Sequence, residues 1–136
     1  LNRYRPQKPA IAFIKGFNLK NGAIASTVAH DSHNIIAVGT DDDSIIHSIQ
    51  NVIKNKGGIS LYTIDENNSL SLPIAGLMSS DNGYVIAEKY KKINGDVQKA
   101  GSTLDAPFMT LSFMSLLVIP ELKLGDKIVI PAVVNE

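Results

Sequence analysis

Apolar and polar positions along this chain fall into two periods. Residues 10–14, "AIAFI", are an apolar run closed by Gly16, the pattern of a buried strand. "GAIASTVA" (22–29) alternates small and β-branched residues and predicts a second strand, and "NIIAVG" (34–39) predicts a third. The period then changes. Ile45, Ile46, Ile49, Val52 and Ile53 recur three to four apart, which predicts an amphipathic helix over 43–56. Asp41, Asp42 and Asp43 stand where an N-cap and first turn favour negative charge, and Gly57 and Gly58 supply the stop. "ISLYTI" (59–64) and "SLSLPI" (69–74) read as a hairpin turned by "DENN".

From Asp81 the helical spacing returns, with Ile86, Tyr90, Ile93, Val97 and Ala100 on one stripe and Gly101 at its end. Glu88 and Lys92 are spaced as a supporting i,i+4 pair, while Gly95 weakens the middle. "FMTLSFMSLLVIPELKL" (108–124) alternates and then becomes continuously apolar, which predicts a strand broken at Pro120 and followed by a last one, "IVIPAVV" (128–134). Strands with two main helices predict a single layered α/β (α+β) domain. Consecutive strands at both ends favour a mixed β-sheet over a purely doubly wound one. No repeat, linker or low-complexity segment interrupts the chain.

Composition narrows the function classes. A chain of 136 residues with 44% hydrophobic and 19% charged side chains has one globular domain's worth of core and no disorder signature. Thirteen basic residues cancel thirteen acidic ones, so no general field draws the chain to nucleic acid or to a membrane. The longest apolar run, "FMSLLVI" (113–119), is far short of a membrane span and reads as a buried strand. The absence of cysteine removes disulfides, thiolate nucleophiles and cysteine-based zinc sites, including those of the small H-x-E…P-C-x-x-C deaminases. A cytoplasmic location fits this composition. The first residue is Leu1 and no secretory n-region or h-region precedes the first strand, so the chain is expected to be a piece of something longer.

Chemistry concentrates in "AHDSHNIIAVG" (29–39). His30 and His33 could supply two metal ligands and Asp31 a third or a supporting partner. Side chains three apart on an extended segment point to opposite faces, so joint use of the two imidazoles requires a tight turn. The other reading is a polar turn whose side chains satisfy backbone groups. A triad of Ser32, His33 and Asp31 is the weakest reading, because sequence neighbours do not readily take the nucleophile–base–orienter geometry, which brings groups together from separate elements. "GTDDDS" (39–44) suits helix capping rather than phosphate binding, since three aspartates repel an anion. His47 is expected to be a partly exposed helix residue. "PIAGLMSSD" (73–81) is expected to be a loop, with Gly76 at a special backbone position and Met78 either in the core, the favoured reading, or lining a pocket.

Three long blocks carry a resemblance: "KGFNLKNGAIASTVAHDSHNIIAVGTDDDSI" (15–45), "LPIAGLMS" (72–79) and "DAPFMTLSFMSLLVIPELKL" (105–124). In this order they resemble the C-terminal domain of bacterial-type adenine deaminase, in the amidohydrolase superfamily. Over 81–101 only the helical pattern matches, and the resemblance does not extend into 125–136. It implies that residues 1–136 are a C-terminal-like domain of a purine-salvage enzyme hydrolysing adenine to hypoxanthine and ammonia. In that superfamily a (β/α)₈ barrel holds one or two divalent metals (manganese, iron or zinc), and a metal-activated hydroxide attacks the amino-bearing carbon. The barrel is too large to be contained in this chain, so no metal ligand or cofactor is assigned to the fragment and the fragment is expected to be inactive.

The implied partners are the barrel of the same polypeptide and the substrate adenine. No nucleic acid or membrane partner is implied, and homo-oligomerisation is left open. The resemblance supplies the segment 30–34 without roles for its side chains. Its chemistry suggests that His30, Asp31 and His33 contribute to the parent active site, with Ser32 and Asn34 as weaker substrate contacts, from a surface turn whose side chains are grouped. The competing classes are a stand-alone purine-binding module and a structural or dimerisation module.

Overall fold

The structure is a computed structural model that describes residues 1–118, 122–125 and 129–131. Its strands and helices follow in the order β1 (Ala23–Ser26), β2 (Ile36–Gly39), α1 (Asp42–Lys54), β3 (Gly58–Tyr62), β4 (Asn67–Ser71), α2 (Gly83–Lys99), α3 (Pro107–Phe113), β5 (Leu122–Leu124) and β6 (Val129–Pro131). The first four strands form one sheet in the order β2-β1-β3-β4, and β5 pairs with β6 separately. Among the described residues every strand pairing is antiparallel, so the layered α+β domain stands and its described sheets are antiparallel rather than mixed. The connections explain this. The β3–β4 link is a tight hairpin turn, and β1 returns through a short polar turn to β2, so neither needs a parallel crossover.

β1 sits at the centre and is buried along its whole length, which is why it is built from Ala, Ile, Ala and Ser. Its alternating side chains serve two layers. Ile24 joins Ile36, Ile59, Leu61 and Leu70 under α2 (Ile93, Val97) and α3 (Phe108, Leu111). Ala25 faces the opposite way, into a smaller cluster with Ile35 and with Val52 of α1. Small side chains let α1 approach closely: Ser48 and Ser60 share a hydroxyl contact of 2.8 Å, and Ser60 Oγ donates to the Ser48 carbonyl at 2.7 Å.

Both long helices begin at a polar N-cap, the first of them at the aspartates expected from the sequence. Asp41 is the N-cap of α1 and accepts from the Ser44 amide at 2.8 Å. That backbone bond, with support from Thr40, holds its carboxyl below the ordinary value of 3.8. Asn82 caps α2 in the same manner, and α2 runs through Gly95 without a break.

Several expectations fail for identifiable reasons. Residues 10–14 form no strand, and Ile11 and Phe13 are 82% and 106% exposed. A short apolar run signals a demand for burial without specifying the surface that meets it. Segment 108–124 is not one strand: 107–113 is helical, with Pro107 setting the first turn and Phe108, Leu111 and Ser112 facing inward. Its spacing satisfies both periods, and the proline decides. Met78 lies outside the core at 55% exposed. Lys92 pairs with Asp96 at 2.7 Å rather than with Glu88. The expected last strand is present as Val129–Pro131, and its remainder (128 and 132–134), with Pro120, lies outside the described residues.

Candidate functional site

The 27–35 segment joins the end of β1 to β2, at the edge of the sheet, where two other segments meet it. Thr27 anchors its start. The Thr27 hydroxyl donates to the Gly76 carbonyl at 2.6 Å and accepts from the Gly58 amide at 2.8 Å, tying the turn to the 72–78 loop and to β3. A side chain at Gly57 would fall 2.4 Å from Gly76 Cα, so two glycines face each other at this junction. From the other side, the end of α3 holds His30. The His30 amide donates to the Ser112 carbonyl at 3.3 Å, and Ser115 Oγ donates to the His30 carbonyl at 3.1 Å.

The turn itself closes tightly. The His33 amide donates to the Ala29 carbonyl at 2.6 Å, and His33 takes a left-handed backbone conformation with φ +48°. The His30–Asp31 peptide is cis. This is the tight turn that joint action of the two imidazoles requires: their ring centroids are 6.4 Å apart with planes at 70°. The His30 ring also rests on Phe113, with centroids 5.1 Å apart.

The five residues sit differently. His30 and His33 are half-buried, Asp31 and Ser32 are exposed, and Asn34 is buried. The Nδ1 atom of His33 is shut off from solvent and has no hydrogen-bond partner among the described residues. An orphaned buried ring nitrogen is uncommon and costs free energy unless something outside these residues meets it. Asn34 Oδ1 accepts from the Arg3 amide at 3.2 Å, and the Ser32 hydroxyl faces the Asn34 amide at 3.5 Å. Asn34 is therefore engaged within the turn, Ser32 is exposed but accepts from the Asn34 amide, and Asp31 is exposed.

Among the described residues, no group of three or more His, Asp or Glu side chains is arranged to hold a metal ion. Two imidazoles 6.4 Å apart between centroids, beside an outward-facing carboxylate, do not make such a group. No described helix is long and apolar enough to cross a membrane. His47 is exposed, stacks on Tyr62 at 4.5 Å and contacts the Asp43 carbonyl, as a helix-surface residue does. An open cleft of about 570 Å³ lies elsewhere, lined by Glu66, Glu88, Lys91, Lys92, Asp96 and Lys99. Its lysines 92 and 99 are committed to Asp96, which leaves a solvated charged surface.

Sequence reasoning missed Arg3 and Thr27. Arg3 belongs to no periodic element, Thr27 reads only as a residue of the 22–29 strand, and the groups they meet from distant segments are not revealed by any local pattern. Gly57 and Gly76 were the legible part of this junction.

Comparison with known proteins places these residues in context. The profile of the adenine deaminase C-terminal domain matches residues 1–130. The chain is similar to an adenine deaminase of Sulfurovum sp. (strain NBC37-1), at 57% identity over 128 residues covering 93% of this chain and 24% of that protein. It is similar to an adenine deaminase of Methanosarcina mazei at 54% over 127 residues, covering 93% and 23%. It is also similar to one of Borreliella burgdorferi at 48% over 129 residues, covering 93% and 24%. The chain thus spans about a quarter of the length of the curated relatives it matches.

Proposed function

Because this chain belongs to the adenine deaminase C-terminal domain family, we propose that it is one domain of a longer enzyme that converts adenine and water to hypoxanthine and ammonia. In this reading residues 1–136 pack on the catalytic barrel of the same cytoplasmic, purine-salvage polypeptide, of the amidohydrolase superfamily. The divalent ion (manganese, iron or zinc) is assigned to that barrel, since the described residues of this chain do not fit one.

The observation that carries the reading is the half-buried imidazole pair that the tight turn brings together. A purine presents ring nitrogens and an amino group in one plane, and imidazoles can donate to or accept from each of them. Placed over a barrel mouth, His30 and His33 would hold the ring and exclude bulk water. Asp31 would accept a proton or a hydrogen bond from the outward side. Ser32 and Asn34 are the weaker substrate contacts, Asn34 mainly by shaping the turn. The neighbouring elements supply an apolar rim suited to docking. Met109 and Phe113 of α3, and Ile74 and Met78 of the 72–78 loop, are all exposed large hydrophobic residues.

The test is His33→Asn in the intact enzyme. Asparagine tolerates the left-handed backbone that His33 occupies, so the substitution removes the imidazole with little disturbance of the turn. Turnover of adenine is expected to fall by about 10²-fold, the scale of one positioned acid–base or hydrogen-bonding group. Bound metal and melting temperature should stay near wild type. Normal turnover with full metal would remove the 30–34 turn from the active site.

A further inference from the structure

We propose that Arg3 is a positioning residue for His33, a clamp that fixes the histidine turn against the 72–78 loop. The inference rests on the active-site reading of the turn and adds a residue from a different part of the chain. Arg3 Nη1 donates to two carbonyls at once, those of His33 and Ala75, each at 3.1 Å. The Arg3 amide donates to Asn34 Oδ1, so backbone and side chain of one residue grip both ends of the turn's last step.

The two residues whose carbonyls accept from Arg3 share an unusual feature. His33 and Ala75 both have positive φ, +48° and +56°, in a region that residues with a Cβ rarely occupy. Such conformations persist only where the surroundings over-determine them. Here one guanidinium nitrogen, which carries two hydrogens in a fixed plane, bridges both carbonyls. Gly76 is shaped to the same group: an added Cβ would lie 2.3 Å from Arg3 Nη1 and 2.7 Å from Cζ and Nη2. Its φ of +76° favours glycine, and the missing side chain leaves the guanidinium room to sit against the loop.

The segment that presents Arg3 is itself organised. Asn2 Oδ1 accepts from the amides of Tyr4 and Arg5 at 2.7 and 2.9 Å, and the Ile35 amide donates to the Leu1 carbonyl at 2.9 Å. Residues 1–3 therefore run beside 33–35 and deliver the arginine over the loop. Thr27 ties the same loop from the opposite side through the Gly76 carbonyl. With both ties made, the loop cannot shift without moving the carbonyl of His33, and with it the imidazole.

A double-mutant cycle in the intact enzyme tests this, with kcat and KM for adenine measured for wild type, Arg3→Met, His33→Asn and the double variant. Methionine keeps a long apolar stem and removes the donors. Arg3→Met is expected to lower kcat by about tenfold with a smaller change in KM, and to cause no further loss in the His33→Asn background. Amide exchange across 29–34 and 74–78 should quicken in Arg3→Met while that of β1 and β3 stays unchanged. An equal Arg3→Met loss in both backgrounds, or unaltered exchange in both segments, overturns the clamp. A His33→Asn enzyme with normal kcat sinks the active-site reading instead, and the exchange comparison still decides whether the clamp exists. Should Arg3→Met fail to accumulate as folded enzyme, Arg3→Lys carries the same cycle. It keeps the charge and one donor nitrogen, so its smaller loss is also expected to vanish beside His33→Asn, and a loss that persists there overturns the proposal.

Discussion

Asp96 has a side chain only 2% exposed, yet it lies on a helix whose neighbouring lysines are in solvent. Its carboxylate accepts from Lys92 Nζ at 2.7 Å, Lys99 Nζ at 2.8 Å and Asn68 Nδ2 at 2.8 Å, which joins α2 to β4. The bonds from Lys92, then Lys99, hold its carboxyl below the ordinary value of 3.8, against the opposing effect of burial. The folded value is lower than the unfolded one, so this contribution is fully present above the unfolded value. It is lost as pH falls through the folded one. Asp96→Asn should therefore lower stability by about 1–2 kcal/mol at neutral pH, the scale of charge-assisted hydrogen bonds. Urea denaturation over a pH series checks this: the two proteins should differ above the carboxylate range and converge below it. A constant gap at all pH values would show that packing, not ionisation, sets the loss. Lys92 was legible as a charge partner on a helix face. Its actual partner was not, because choosing Asp96 over Glu88 depends on Asn68 arriving from another strand.

The two long helices end with the same hydrogen-bond pattern but different residues. After α1, the Lys56 amide donates to Ile53 and the Gly57 amide to Val52; after α2, Gly101 donates to Gln98 and Ser102 to Val97. Both are left-handed stops, with φ +60° at Lys56 and +112° at Gly101. The glycines at 57 and 58 had marked the end of α1 in the sequence, yet the left-handed stop position falls on the lysine before them. Lys56→Gly removes the Cβ penalty and adds backbone entropy to the unfolded chain, for a net gain of about 0.5–1 kcal/mol. A raised melting temperature with unchanged helix content would bear this out, and a lowered one would show that the lysine stem matters more than its backbone. Elements with a clear period and caps, such as α1, the β3–β4 hairpin and α2, were legible to within a few residues. Those without were not: 107–113 fits either period, and 10–14 has none. The 30–34 turn was legible as polar chemistry. Its geometry depends on carbonyls from α3 and the 72–78 loop, which no local pattern encodes.

At the scale of the whole molecule, residues 11–16 are exposed throughout, including Ile11, Phe13 and Ile14. A run of large apolar side chains left in water marks a surface that a partner covers. The relatives are about four times as long as the matched region, and the proposed function puts the covering surface on the rest of one polypeptide. Two expectations follow from packing against that missing part. The isolated chain, supplied with divalent metal and adenine, should release no ammonia beyond a metal-only control. Turnover by the fragment would mean that catalysis does not require the barrel. In the intact enzyme, amides 11–16 should exchange at least about tenfold more slowly than in the isolated chain, since they become paired or buried. Amides of β1 and β3, already inside the sheet, should exchange alike in both. Introducing Phe13→Asp into the intact enzyme should return 11–16 to fast exchange and expose the domain junction to protease. Equal exchange of 11–16 in fragment and enzyme would show instead that this apolar segment stays uncovered and that the domain docks through another face.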